Sequence, residues 1–190
     1  YGFINFSRDV PDGKDVNRRF PGNATGSLAS RVARIFTREI LPVIDFGIDF
    51  HTGGRGHYNY PQVRFTSDHL PSAELAKAFG APFTIEAKPV KSSLRRTAVD
   101  LNKAIIVYEG GENLRFDEFS IQQGILGMKR VMEYKGMFTE AAPAEASKYF
   151  EHTSWLRSPR SGMFHWVKCS GEQVKKDEVL AFITDPFGEE

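Results

Sequence analysis

Cysteine occurs once in this chain, at Cys169. One thiol builds neither a disulfide framework nor a thiolate metal cluster. It is compatible with a reducing compartment such as the cytoplasm. Long hydrophobic runs are also missing. No apolar stretch approaches the ~20 residues of a membrane-crossing helix, so no membrane partner is expected. Charge of one sign is missing too: 25 Lys and Arg against 24 Asp and Glu leave a formal net charge of +1. That balance gives no electrostatic footprint for nucleic acid. Glycine is plentiful but not in phosphate-binding order. Gly53-Gly54-Arg55-Gly56 lacks the Lys-Ser/Thr ending of a P-loop, which excludes a nucleotide site of that kind.

What is present is an ordinary globular balance, 41% hydrophobic and 26% charged over 190 residues. That length fits one domain with room for a small second one. The chain opens Tyr1-Gly2-Phe3 without an initiator methionine or signal-peptide pattern, and it stops near a turn, Asp185-Pro186-Phe187-Gly188. It reads as part of a longer chain.

The most informative stretch is Phe46-Gly47-Ile48-Asp49-Phe50-His51-Thr52-Gly53-Gly54. A short apolar run ends in an acid, an aromatic and a histidine, then breaks into glycines. Strand alternation puts Asp49 and His51 on one face. In open α/β sheets the carboxyl ends of strands are where ligands bind. The bland alternative is a strand end with a capped turn and a satisfied histidine. A second strand, Ala104 to Tyr108, is apolar throughout and reads as buried and central. It ends in Glu109-Gly110-Gly111, the same pattern of a polar residue followed by glycines. Two such ends on neighbouring strands face one crevice. Alternatively, Glu109 simply leaves the sheet.

Upstream, Asp15-Val16-Asn17-Arg18-Arg19-Phe20-Pro21-Gly22 has no helical or strand period. It reads either as a solvated basic loop or as a carboxylate clamp, because Asn and Arg together offer a planar, charged hydrogen-bonding fork. Ser27 caps a helix to about Ile40, with Leu28, Val32, Ile35, Phe36 and Ile40 as its apolar stripe. Gln62 to Thr66 and Phe83 to Glu86 read as strands. Ser72 opens a helix that Gly80 stops. Ser93 to Asn102 reads as a helix with Arg95 and Arg96 outside. Asp117 to Lys135 is the longest helix, expected to bury Phe119, Ile125, Met128, Val131 and Met132. Residues 141–146 read as a linker. Beyond it, Trp155 to Arg157, Gly162 to Val167 and Val179 to Thr184 read as short strands.

Three motifs in order, Asn17-Arg18-Arg19-Phe20-Pro21-Gly22, Asp49-Phe50-His51-Thr52-Gly53 and Glu109-Gly110-Gly111, resemble the succinylglutamate desuccinylase/aspartoacylase family. The tail, with Arg157-Ser158-Pro159-Arg160-Ser161-Gly162 and Gly171-Glu172-Gln173-Val174, is similar to that family's C-terminal lipoyl-like β-barrel. The resemblance implies an α/β, zinc-carboxypeptidase-like mixed sheet flanked by helices over 1–140, then part of a small β-barrel over 150–190. It implies Zn2+ as cofactor, with His51 as one of three ligands, and Glu109 as general base. Asn17 and Arg18 would hold the substrate carboxylate, and Arg8 would polarise the scissile carbonyl. Asp49 would orient His51 or line the substrate side. The family's other two ligands lie on a His-x-x-Glu motif, which occurs nowhere in these residues. They are expected upstream of Tyr1, so the chain by itself is expected to be inactive.

The implied activity is zinc-dependent hydrolysis of the amide bond of an N-acyl amino acid or similar small carboxylate. Three rivals remain. One is a metallocarboxypeptidase or peptidoglycan-peptide amidase on the same fold. Another is a non-catalytic carboxylate-binding domain. In the third, the β element mediates a homo-oligomer contact or restricts access to the cleft.

Overall fold

The computed structural model describes residues 1–54, 56–137 and 139–189. Arg55, in the glycine stretch that excluded a P-loop, lies outside them. The chain divides into two compact units, Tyr1–His152 and Thr153–Glu190.

The first unit is a five-stranded mixed sheet with helices on both faces. The strands are β1 (Phe46–Gly53), β2 (Asn59–Phe65), β3 (Phe83–Glu86), β4 (Ala104–Glu112) and β5 (Lys148–Phe150). Their spatial order is β1-β4-β2-β3-β5. β1 runs parallel to β4, and β2 runs antiparallel to it. β3 and β5 follow the direction of β2. The amino end of β2 therefore lies beside the carboxyl ends of β1 and β4. Phe150 belongs to this sheet, paired with Ile85.

The helices are α1 (Gly2–Asn5), α2 (Leu28–Ile35), α3 (Leu70–Phe79), α4 (Leu94–Asp100) and α5 (Glu118–Tyr134). A 3₁₀ turn spans Val16–Arg18, and a π turn, Phe36–Ile40, continues α2. Ser27, Ser93 and Asp117 each accept a backbone N–H at a helix start. Such caps are worth about 1 kcal/mol each.

Alternation along β4 sorts the core into two layers. Ala104, Ile106 and Tyr108 join Val63, Phe65, Leu75, Phe79 and Val131 on the side of α3 and α5. Ile105 joins Leu41 and Ala98 on the opposite side, under α4. Strand period 2 makes this division obligatory, and it also decides which face receives the polar strand ends.

Several helical expectations change. The helix expected to open at Ser72, α3, starts at Leu70 with His69 at its N-cap, and Ser72 is buried inside its first turn, its hydroxyl donating to the His69 carbonyl at 2.9 Å. On α5 the expected Phe119, Ile125 and Met128 are substantially exposed, and the buried positions are Ser120, Gly124, Gly127 and Val131. The reason is volume. The ring of Phe79 stacks on Tyr108 with centroids 5.2 Å apart, and a Cβ at Gly127 would come within 2.2 Å of Phe79. Only small side chains let α5 approach. α2 behaves similarly, burying Ala29 and Ala33 while Ile35, Phe36 and Ile40 stay largely open. Arg95, expected outside, is only 8% exposed.

The second unit holds an antiparallel pair, β6 (Met163–Trp166) and β7 (Ala181–Thr184). Trp155 to Arg157, expected as a strand, has no strand geometry. Phe164 and Trp166 meet edge to face at 4.6 Å. Lys168 pairs with Glu178 at 2.6 Å, and Arg160 Nη2 donates to the Ile183 carbonyl at 2.5 Å.

Candidate active site

The polar strand ends meet. His51 and Glu109 are register partners on adjacent parallel strands, so their side chains project from one face. Asp49 lies two residues before His51 on the same face, and His51 Nε2 sits 2.9 Å from Asp49 Oδ2. The imidazole thus donates Nε2–H to Asp49, and the opposite nitrogen, Nδ1, has no hydrogen bond given among the described residues. This hydrogen bond raises the His51 pKa above its ordinary 6.5. Burial works against the rise, the charges of Asp49 and Glu109 add to it, and Arg8 opposes it.

Glu109 is held from β2. Its Oε2 accepts from Asn59 Nδ2 at 2.6 Å, and its Oε1 faces Arg64 Nε at 3.7 Å. Behind them, on α4, lies Arg95. Its Nη2 donates to the Lys88 carbonyl at 3.3 Å, while Nη1 is buried without a partner among the described residues. Burial pulls the Arg95 pKa down to about 10, with Arg64 adding to the fall and Glu109 resisting it.

The Asn-Arg loop reaches α4. Asp15 caps the 3₁₀ turn by accepting from Asn17 N, and its Oδ2 pairs with Arg8 at 2.8 Å and faces Arg18 at 3.9 Å. Asn17 Oδ1 accepts from Leu94 N at 2.8 Å, at the start of the helix that carries Arg95. Arg18 Nη1 donates to the Asn17 carbonyl and remains half exposed. Asn17 thus ties the Asn-Arg loop to α4, Arg8 acts on His51 through its charge, and Arg64 and Glu109 act on Arg95 through theirs.

The loop after His51 is tied to the strand that bears Glu109. Asn113 N donates to the Gly53 carbonyl at 2.9 Å, and Gly56 N donates to Asn113 Oδ1 at 3.1 Å. Gly53 is required there, since a Cβ would fall 1.8 Å from the His57 carbonyl oxygen.

Residues 1–135 match the family model of the succinylglutamate desuccinylase/aspartoacylase catalytic domain. The chain belongs to this family. A curated relative, the N-alpha-acetyl-L-2,4-diaminobutyric acid deacetylase of Halomonas elongata, is 28% identical over 191 residues, covering 92% of this chain and 54% of the relative. The product-bound ectoine utilization protein EutE (DoeB) of Ruegeria pomeroyi superposes with a TM-score of 0.86 at 24% identity, covering 96% of this chain and 59% of that one. A succinylglutamate desuccinylase/aspartoacylase of Rhodobacter sphaeroides gives 0.85 at 23%, covering 97% and 60%. These structures speak for the fold. The chain spans little more than half the length of each.

Against the metal expected of a succinylglutamate desuccinylase/aspartoacylase domain, the side chains offer a partial fit. His51 has a carboxylate orienting its ring through Nε2, the arrangement usual for a ligating histidine. Among the described residues, no group of three His, Cys, Asp or Glu side chains could hold a metal ion. His69 does not help. It is buried at the far end of the sheet, after the carboxyl end of antiparallel β2. His152 is exposed, and His165 Nε2 lies 3.0 Å from Thr184 Oγ1 in the second unit.

Motif reading named Arg8, Asn17, Arg18, Asp49, His51 and Glu109, of which the structure brings Asp49, His51 and Glu109 onto one face and pairs Arg8 with Asp15. It did not name Asn59, Arg64, Arg95 and Asn113, which the structure sets beside them. The signal available for Arg64 was its being the one charge in its strand, and for Arg95 its sharing a helix face with Ala98 and Val99.

Proposed function

We propose that the intact protein is an amide-bond deacylase of N-acyl amino acids or similarly small carboxylate-bearing amides. The observation that carries this reading is the juxtaposition of His51, oriented by Asp49, with Glu109, which faces Arg64. The curated relative, named as a deacetylase of an N-acetylated amino acid, supports the substrate class.

In this reading His51 contributes one ligand to zinc, and two further ligands come from outside these residues. A zinc ion held there supplies a nucleophilic water at neutral pH. Glu109 is the general base, and it later returns its proton to the leaving nitrogen. Arg8 faces the carbonyl oxygen and stabilises its developing charge. Arg18 and the Nδ2 amide of Asn17 bind the substrate carboxylate. Asp49 keeps the imidazole in the tautomer protonated at Nε2.

The test is an assay of the full-length protein on N-acetyl and N-succinyl amino acids beside short peptides, with metal content measured in parallel. Stoichiometric zinc, lost together with turnover in His51→Ala, is expected. Cleavage of peptides alone would overturn the deacylase assignment.

A further inference from the structure

Glu109 has two oxygens, and the fold treats them differently. Oε2 is held by Asn59 Nδ2 at 2.6 Å, whereas Oε1 has Arg64 Nε at 3.7 Å, beyond hydrogen-bond reach. How Asn59 comes to hold Oε2 is not obvious from alternation. Gln62 pairs with Glu109 across the antiparallel β2–β4 ladder. Asn59 is an odd number of residues from Gln62, so regular pleating would put it on the other face of the sheet. The ladder is not regular there. Asn59 pairs with Gly111, so three steps along β2 match two steps along β4, and the register shifts between Asn59 and Gln62. That extra residue is a β-bulge at Tyr60-Pro61. Proline, which cannot donate to a ladder, belongs at such a site. The bulge turns Asn59 onto the face of Glu109, a use bulges have near active sites.

We propose that Asn59 is a positioning residue for the proton-transfer carboxylate. Its amide fixes Oε2 and the plane of the Glu109 carboxyl, and Oε1 remains the oxygen that takes part in proton transfer. This rests on the reading of Glu109 as general base. Asn59 touches no reacting atom and acts through Glu109.

The experiment compares Asn59→Ala, Asn59→Asp and Glu109→Gln, singly and combined, in the zinc-loaded full-length protein. Loss of a group that orients a metal ligand typically costs about 10–100-fold, and the same scale is taken for the group that orients Glu109. The expected result is a fall in kcat of that size with KM changed less than about twofold. Asn59→Asp keeps the shape but replaces the donor with a second carboxylate, so it should lose at least as much as Asn59→Ala. It also carries the test if the alanine variant does not fold. In the Glu109→Gln background, Asn59→Ala should cost nothing further. A rise in KM alone, or losses that multiply, would overturn the proposal.

A second arm does not depend on turnover. In the metal-free protein, the side-chain amide resonance of Asn59 should move on Glu109→Ala. An unmoved resonance removes the hydrogen bond and the proposal with it. If Glu109→Gln keeps full activity while the resonance moves, the base assignment is what fails.

Discussion

At the scale of single residues, the site brings together groups whose charges interact strongly. His51 is raised above 6.5 chiefly by its hydrogen bond to Asp49. In the metal-free protein its NMR titration midpoint should lie above 6.5 and should fall in Asp49→Asn. The linked stability has a definite sign. It is fully present below the unfolded value near 6.5 and is lost as pH rises through the folded one. Under the proposed role of His51 as a zinc ligand, which must be deprotonated, zinc uptake by the full-length protein should weaken as pH drops through the same range. Arg95 presents the opposite case. It is buried near another arginine, with one nitrogen unpartnered among the described residues. Its guanidinium costs desolvation and gains little. Arg95→Met should therefore leave stability unchanged or raise it by about 1 kcal/mol, as read by urea unfolding. A loss above about 2 kcal/mol would show that the charge is structural.

At the scale of elements, packing volume decides what sequence patterning does not. β4 was legible because an unbroken apolar run needs cover on both faces, and it has cover on both. α5 was legible as a helix, but its inner face was not. Hydrophobicity pointed to Phe119, Ile125 and Met128, whereas the stacked rings of Phe79 and Tyr108 admit only Gly124, Gly127 and Ser120. Gly127→Val should cost about 1–3 kcal/mol through overpacking, measured by thermal unfolding. Gly53→Ala should do comparable damage nearer the site, because its Cβ meets the His57 carbonyl oxygen. Hydrogen exchange of the Asn113 amide should quicken as that tie breaks. Asn59 was illegible for another reason. Its direction depends on a bulge, and one extra residue reverses the face that simple alternation assigns. Arg95 escaped notice because a charged residue on a short helix is normally read as solvent-facing.

At the scale of the whole molecule, the motifs gave the family, the mixed α/β sheet and the strand ends where its polar groups converge. They could not give the contacts between them, since Asn17 reaches Leu94 and Asn59 reaches Glu109 only after the sheet has assembled. The order of strands has a further consequence. β1, which carries His51 and Asp49, is outermost in the sheet, and β4 is its only neighbouring strand among the described residues. Alternate amides of β1 point away from β4, and these should exchange with deuterium far faster than their neighbours, while the amides of β4 stay protected. Any strand that later docks along that rim, from the same polypeptide or another, would quench the alternation. The exchange pattern of eight residues would then serve as a built-in reporter of whether the histidine's strand is clamped on one side or two.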